Sequence, residues 1–265
     1  MARALSGLRP ATRWIGRRIE ILDSTDSTNR VCEQLAAGGA PAGTLVVADR
    51  QTAGRGRLGR SFFSPPGRGL YLSLLLRPRL APDALHSYVF AAALAVARCC
   101  RQALGPEAEL EIKWPNDVLI AGRKTSGINL PAQLQGARVA SAVLGVGINL
   151  NTRRGEFPPE LRDTATSLYL AGGREINRLE FAQALLTELE RQLDRIDAGD
   201  FPRLLDDWRS FFRMQDRPVT VNSPGTPEIR GTARGVDPSG ALLVETPAGP
   251  RRILAGDVTL RPKDP

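Results

Sequence analysis

The segment that decides the fold lies between two apolar stretches in the first third of the chain and reads Gln51-Thr52-Ala53-Gly54-Arg55-Gly56-Arg57-Leu58-Gly59-Arg60. Each flanking stretch, 44–48 and 70–76, has the length and apolar character of one buried strand. Three glycines allow backbone angles that other residues resist, so successive amides can converge on an anion. Three arginines add permanent charge and forked donors suited to carboxylate or phosphate. The segment predicts an anion-binding loop between two strands, with a solvated loop or an RNA-binding patch as the alternative.

This loop matches neither of the common glycine-rich nucleotide motifs. No Gly-Lys-Ser/Thr follows it, as a Walker phosphate loop requires. Its third glycine precedes a strand, whereas the third glycine of a dinucleotide fingerprint opens a helix.

Outward from the loop, strands and helices alternate up to about residue 215. Further strands are predicted at 19–22, 109–113, 116–120, 124–130 and 138–150. Helices are predicted from the Asp26–Asn29 cap region to Gly38, from Asp83 to Leu104, from Asn177 to Ile196 and from Pro202 to Phe212. Beyond Pro218, short strands at 219–221, 229–235, 241–245 and 251–254 are typical of a small β-barrel.

Two later segments carry further candidate chemistry. The first is Ile112-Lys113-Trp114-Pro115-Asn116-Asp117, followed seven residues later by Lys124. Asn116 and Asp117 offer oxygen ligands for magnesium, and Lys124 can neutralise a carboxylate and an α-phosphate together; a plain turn is the alternative. The second is Gly145-Val146-Gly147-Ile148-Asn149-Leu150-Asn151. Glycines inside this strand indicate the close approach of a ligand, which Asn149 can recognise, or a bulge without a ligand.

Composition limits the remaining classes of function. The net charge is +8, but the arginines are scattered among 28 acidic residues, so charge alone does not define a nucleic-acid site. Arginines before residue 19 predict a short basic lead-in, with a transit peptide as the alternative. Of the three cysteines, Cys99 and Cys100 are predicted to be small buried or half-buried side chains of a helix, and a reducing compartment is expected. The single histidine, His86, is predicted to be structural and cannot by itself build a catalytic triad.

In this order, the motifs resemble the biotin–protein ligase family, in its monofunctional type without an N-terminal DNA-binding domain. The resemblance covers about residues 20–262, and lipoate ligases share the fold without this set of motifs. The matching residues are Ser27-Thr28-Asn29, Gln51, Gly54 to Arg60, Lys113 to Asp117, Lys124 to Ile128, Gly145 to Asn149, Arg234 to Asp237 and Gly240 to Leu243.

The resemblance implies both a fold and an activity. The implied fold class is α/β (α+β): a basic lead-in at 1–18, a mixed-sheet biotin/lipoate ligase-type catalytic domain at 19–215 and an SH3-like β-barrel at 216–265. The implied enzyme uses ATP and Mg²⁺ to convert biotin to biotinyl-5′-AMP, then transfers biotin to a lysine of a biotin carboxyl carrier protein. A cytoplasmic monomer or homodimer is expected, with no membrane segment and no specific DNA binding.

By position, the resemblance also implies the site residues. The implied catalytic residues are Arg57, Asp117 and Lys124, with Asp117 as the magnesium ligand. The implied binding residues are Ser27, Thr28, Asn29, Gln51, Gly54, Arg55, Gly56, Arg57, Arg60, Phe62, Trp114, Asn116, Lys124, Gly127 and Asn149. Arg261 is a further candidate for contact with the nucleotide.

The chain departs from the family pattern at two places. Phe62 stands where a tryptophan is usual, which keeps an apolar face for stacking on adenine but loses the indole N–H. After Ile128 the chain continues as Asn129-Leu130-Pro131-Ala132-Gln133 instead of toward an acidic residue, which puts a metal contact there in doubt. The alternatives are a lipoate or octanoate ligase, a catalytically silent biotin-binding regulator, or a nucleic-acid-binding protein.

Overall fold

A computed structural model describes residues 5–223 and 225–260 and contains a large mixed sheet with helices, followed by a smaller antiparallel sheet. The strands of the larger sheet are β1 (Ile19–Thr25), β2 (Leu45–Gln51), β3 (Gly69–Leu76), β4 (Leu110–Lys113), β5 (Asp117–Ile120), β6 (Arg123–Asn129), β7 (Ala132–Gln135) and β8 (Arg138–Asn149). The helices are α1 (Thr28–Ala37), α2 (His86–Leu104), α3 (Leu168–Gly172), α4 (Arg178–Asp197) and α5 (Phe201–Arg209). Among these residues, no helix is both long and apolar enough to cross a membrane.

The larger sheet has the strand order β1-β2-β3-β8-β6-β5-β4, and β7 pairs with β8 beside this path. Strands β1 and β2 are parallel, and the other neighbours are antiparallel, which confirms the predicted mixed sheet. The predicted hairpin after β5 turns at Ala121 and Gly122, both of which have positive φ. Strand β7 was not predicted, because its four residues are all exposed and show no apolar alternation.

Helices cover both faces of the larger sheet. Helices α2 and α4 pack over the face that carries Leu72 and Leu74, and α1 packs on the opposite face over Val46 and Leu75. Helix α2 is buried on nearly every side because it lies between the sheet and α4. The single apolar stripe that the sequence predicted for this helix is therefore narrower than the surface that the helix buries. The predicted cap at Asp83 is wrong: residues 82–84 form a 3₁₀ turn and α2 begins at His86.

The basic lead-in packs into the core of the larger domain. Leu5, Leu8 and Ile15 are fully buried. The Glu190 carboxylate on α4 accepts hydrogen bonds from the backbone N–H groups of residues 13, 14 and 15 at 2.6, 2.8 and 2.9 Å. This part of the lead-in is therefore held by the same helix that covers the sheet.

The smaller sheet is formed by β9 (Pro218–Asn222), β10 (Ile229–Val236), β11 (Leu242–Thr246), β12 (Gly249–Ile253) and β13 (Asp257–Leu260). Its order is β12-β11-β10-β9-β13 and all its pairs are antiparallel, in agreement with the predicted small SH3-like β fold; β13 was not predicted. We call residues 216–260 the C-terminal domain; a boundary near residue 215 stays a prediction.

Two side chains of the larger domain bind one turn of the C-terminal domain. Trp114 Nε1 donates to the Gly240 carbonyl at 2.9 Å, and His86 Nε2 lies 2.6 Å from the Ser239 carbonyl oxygen. His86 thus has a structural role, as predicted, and the buried Trp114 indole joins the two domains.

Candidate active site

A cleft that is open to solvent lies on the α1 side of the larger sheet. Glycines replace side chains on its floor: Gly127 of β6 pairs with Gly147 of β8, and Gly145 lies two residues before Gly147. A Cβ at Gly147 would lie 2.7 Å from a ring carbon of Phe62, which is too close, so the floor depends on this glycine.

Uncharged polar side chains form one wall of the cleft. Gln51, at the end of β2, accepts hydrogen bonds through Oε1 from the backbone N–H and the hydroxyl of Thr28, at 2.9 and 3.0 Å. Its Nε2 donates to Ser64 Oγ at 2.9 Å. The sequence predicted that side chains of the Asp26–Asn29 region would accept the hydrogen bond at the start of α1. In the structure Gln51 accepts that bond.

The polar network continues across the sheet through two buried asparagines. Ser73 of β3 donates to Asn29 Oδ1 at 2.6 Å, and Asn29 Nδ2 donates to Asn129 Oδ1 at 2.9 Å. Asn129 Nδ2 in turn donates to the carbonyl of Arg55 at 2.9 Å. The network therefore fixes two amide groups in the floor and ties them to the glycine–arginine loop.

The glycine–arginine loop, residues 54–61, covers the cleft as a short hairpin. Its base is closed by hydrogen bonds from Gly56 N to the Arg60 carbonyl at 2.7 Å and from Phe62 N to the Gly54 carbonyl at 2.9 Å. Its three arginines bind three different parts of the fold. They form the pairs Arg55–Glu33 on α1 (3.5 Å), Arg57–Asn116 before β5 (2.8 Å) and Arg60–Asp257 on β13.

The charged side chains of Arg57, Asp117 and Lys124 lie together at one end of the cleft. Asp117 binds Lys124 Nζ through Oδ1 at 2.7 Å and lies 3.5 Å from Lys113 Nζ through Oδ2. Burial lowers the pKa of the Arg57 guanidinium from its usual range, and the carboxylates of Asp117 and Asp257 offset part of that shift. Arg57 stays charged at neutral pH, so cationic groups line this end of the cleft.

Asp117 carries the predicted magnesium site, and its two carboxylate oxygens face the ammonium groups of Lys124 and Lys113. No group of three or more His, Cys, Asp or Glu side chains in residues 5–223 and 225–260 could hold a metal ion. Magnesium on a nucleotide needs only one or two carboxylates beside the phosphates, so Asp117 as a magnesium ligand stays a prediction. The ion pair with Lys124 orients that ammonium group.

The structure brings most of the predicted site residues together at the cleft. These are Thr28, Asn29, Gln51, Arg55, Gly56, Arg57, Arg60, Phe62, Asn116, Asp117, Lys124 and Gly127. Phe62 lies over Gly147 and packs edge-on against Tyr71, with ring centroids 6.4 Å apart. It is therefore part of the floor in this state, and stacking on adenine stays a prediction.

Four predicted site residues do not line the cleft. Trp114 is buried at the domain junction, and its role in binding stays a prediction. Gly54 is needed for close packing under the Phe62 carbonyl. The hydroxyl of Ser27 and Oδ1 of Asn149 are buried and meet no hydrogen-bond partner among the described residues. Arg261 lies outside the described residues.

Sequence reasoning missed three side chains that shape the cleft. Asn129 was noted as a departure from the family pattern but was not predicted as a site residue. The hydroxyl of Ser73, which interrupts the leucines of β3, is the feature of the sequence that indicates this polar network. Asp257 comes from the C-terminal domain, and no sequence pattern points to it. Asn149 Nδ2 and Lys124 N donate to carbonyls of the same segment, those of Thr166 and Thr164.

Comparison with protein families matches both parts of the chain. The family described as Biotin/lipoate A/B protein ligase family matches residues 21–149. The family described as Biotin protein ligase C terminal domain matches residues 216–261.

Individual relatives cover nearly the whole chain. A protein of Paracoccus denitrificans named biotin--[acetyl-CoA-carboxylase] ligase is 34% identical over 245 residues, which are 90% of this chain and 98% of that protein. The bifunctional ligase/repressor BirA of Bacillus subtilis (strain 168) is 40% identical over 254 residues, which are 94% of this chain and 76% of that protein. The solved structure of a biotin protein ligase from Aquifex aeolicus, in complex with biotin and ATP, is similar with a TM-score of 0.79 at 32% identity and covers 93% of this chain and 100% of that one.

Proposed function

Since the chain belongs to the biotin/lipoate A/B protein ligase family as a biotin protein ligase, we propose that it converts biotin and ATP to biotinyl-5′-AMP and transfers biotin to a lysine of a biotin carboxyl carrier protein. The relatives named acetyl-CoA-carboxylase ligases support a carboxylase subunit as the acceptor.

The observation that carries the proposal is the division of one cleft into an uncharged amide floor and a cationic end. The ring of biotin carries a urea group, with two N–H donors and one carbonyl acceptor, and its tail ends in a carboxylate. Gln51 and the Asn29–Asn129 pair offer amide donors and acceptors without charge. Lys124 and Arg57 offer charge at the other end, which suits the carboxylate.

The first step brings two anions together, so the task of the protein is to cancel repulsion and to orient the reacting atoms. A biotin carboxylate oxygen attacks the α-phosphorus, the bond to the β-phosphate oxygen breaks, and pyrophosphate leaves. We assign Lys124 the role of neutralising the carboxylate and the α-phosphate; its ammonium group is held by Asp117. In the second step the acceptor amine attacks the acyl carbon, loses a proton and displaces AMP.

Closure of the loop is the second contribution of this chain. An acyl-adenylate is hydrolysed when water reaches it, so a covering loop favours transfer over loss. Arg57 binds Asn116 across the cleft and thus holds the loop down over the reacting end.

Two further parts of the proposal concern the metal ion and the cellular location. Mg²⁺ stays a predicted requirement, because ATP is used as its magnesium complex. The cytoplasm stays the predicted location, because Cys32, Cys99 and Cys100 are buried free thiols and a reducing compartment preserves such thiols.

The test is exchange of labelled pyrophosphate into ATP with Mg²⁺, comparing biotin with lipoate, in the wild type and in two lysine variants. Lys124→Ala should lower biotin-dependent exchange at least about 100-fold, because it removes a cation that faces the reacting groups. Lys113→Ala is the matched control: it removes the other lysine on Asp117 but leaves the cleft lining intact, so its loss should stay below about tenfold.

The outcomes separate the candidate functions. Exchange with biotin, lost in Lys124→Ala, supports the ligase, and labelling of an apo carrier domain then tests the acceptor. Exchange with lipoate alone would favour a lipoate ligase. No exchange from a folded protein that binds biotin would favour a silent regulator.

A further inference from the structure

The C-terminal domain contributes a side chain to the cleft. Asp257, at the start of β13, lines it beside the glycine–arginine loop and, within the described ranges, is the one lining residue from that domain. Its carboxylate forms an ion pair with Arg60, and its own side chain is only 19% exposed. The backbone of Asp257 is held by pairing with Asn222 of β9, so the carboxylate projects from a sheet and not from a free loop.

The part of the loop that Asp257 holds has few other restraints. Backbone hydrogen bonds close the base of the hairpin, and Arg60 N donates to the Arg57 carbonyl at 3.1 Å, so the backbone bonds of the tip at 57–59 stay within the loop. Leu58 in this tip is half exposed and at positive φ. Arg60 follows this tip directly. The position of the tip relative to the rest of the fold therefore depends on side-chain contacts: the Arg57–Asn116 bond within the larger domain and the Arg60–Asp257 pair to the C-terminal domain.

We propose that Asp257 is a positioning residue, which holds the glycine–arginine loop closed through Arg60 and so slows the escape of the acyl-adenylate from the cleft. The inference rests on the proposed function for the identity of the retained ligand. It assigns the C-terminal domain a role in the retention of the intermediate.

The solvent exposure of Arg60 limits how much the ion pair with Asp257 can stabilise the closed loop. Arg60 is 66% exposed, and a pair of this kind contributes modestly. Its loss should shift the balance between closed and open loop by about three- to tenfold, and the rate of escape should rise by the same factor. A shift of this size changes the fate of a hydrolysable intermediate without unfolding the protein.

The first experiment measures the rate at which labelled adenylate, formed in a single turnover, leaves the protein into filtrate. Asp257→Asn and Arg60→Gln should each raise this rate about three- to tenfold. The exchanged pair, Arg60→Asp with Asp257→Arg, should restore the rate to within about twofold of the wild type. A purely structural role of either residue would not be rescued by exchange of the charges.

The matched control is Glu228→Gln, which breaks the exposed Glu228–Arg230 pair in the same domain. It should leave the escape rate unchanged. Escape rates equal to the wild type in both single variants, or failure of the exchanged pair to restore retention, would overturn the proposal.

A second measurement does not depend on any ligand. Trypsin cleaves after arginine, so the rate of cleavage at Arg55 and Arg57 reports how often the loop opens. Asp257→Asn should raise this rate by a similar factor, and Glu228→Gln should not. If the wild type forms no adenylate, the proposed function has failed and trypsin still decides the role of Asp257; if adenylate forms but neither measurement changes, only the role of Asp257 is refuted.

Discussion

A methyl group at Gly145 should disrupt the amide floor of the cleft. The Cβ of Gly145→Ala would lie 2.9 Å from Asn29 Nδ2 and closer still to the Oδ1 atoms of Asn29 and Asn129. Both asparagines are buried and bonded to each other, so neither can turn away without losing a partner.

The expected cost has two parts. Overpacking in a well-packed interior costs about 1–3 kcal/mol. Separating the Asn29–Asn129 pair leaves buried amide atoms unpaired, at about 1–3 kcal/mol. We expect the free energy of unfolding to fall by about 2–6 kcal/mol, and the Kd for biotin to rise at least about tenfold, because the displaced amide groups are the ones proposed to bind the ring.

Urea unfolding and calorimetric titration with biotin measure both effects. Gly155→Ala is the control, because a Cβ there meets nothing within 4 Å and should change stability by less than about 0.5 kcal/mol. In the Gly145→Ala background, Asn129→Ala should cost at least about 1 kcal/mol less than in the wild type, since the first change has already separated the asparagine pair. Equal stability and equal affinity in Gly145→Ala and Gly155→Ala would refute the reasoning.

Three further predictions concern stability and reactivity. Asp49→Ala should lower the free energy of unfolding by about 3–5 kcal/mol in a denaturant titration, because it leaves the buried Arg178 guanidinium, now 2.7 Å from Asp49, without its partner. Burial raises the pKa of the Cys32 and Cys99 thiols to about 12, so a thiol reagent at pH 8 should modify the native protein about 1,000-fold more slowly than the unfolded chain; fast native labelling would contradict this. Burial alone would raise the pKa of Asp237, but hydrogen bonds from an arginine, a serine and two backbone amides lower it to about 2. The stabilisation is therefore present above about pH 4 and lost as pH falls toward 2, and the stability difference between wild type and Asp237→Asn should shrink over that range.

Features that depend on neighbouring residues could be predicted from the sequence. The unbroken apolar run of β3 indicated a buried strand, and Asn177 caps α4 as expected, accepting from the N–H groups of Leu179 and Glu180. The glycine–arginine loop and Lys124 were also found, because their chemistry is visible in single residues.

Features that depend on distant packing could not be predicted. Trp114 lies within the predicted motif, yet its indole N–H binds a carbonyl 126 residues away, and no local pattern indicates this contact at the domain junction. Asp83 has the residue type of a cap, but the proline before it starts a 3₁₀ turn instead. Asp257 enters the cleft only because a second sheet is placed beside the first, and no local pattern in the sequence records that placement.

The three arginine anchors of the loop have a consequence for the order of events during synthesis. Glu33 and Asn116 belong to segments that leave the ribosome before the C-terminal domain, and Asp257 emerges after both. A nascent chain can thus form the cleft floor and two of the anchors while the third is still missing. The cover becomes complete only once the C-terminal domain has emerged and folded, so a copy that lacks this domain would hold any reactive acyl group less securely.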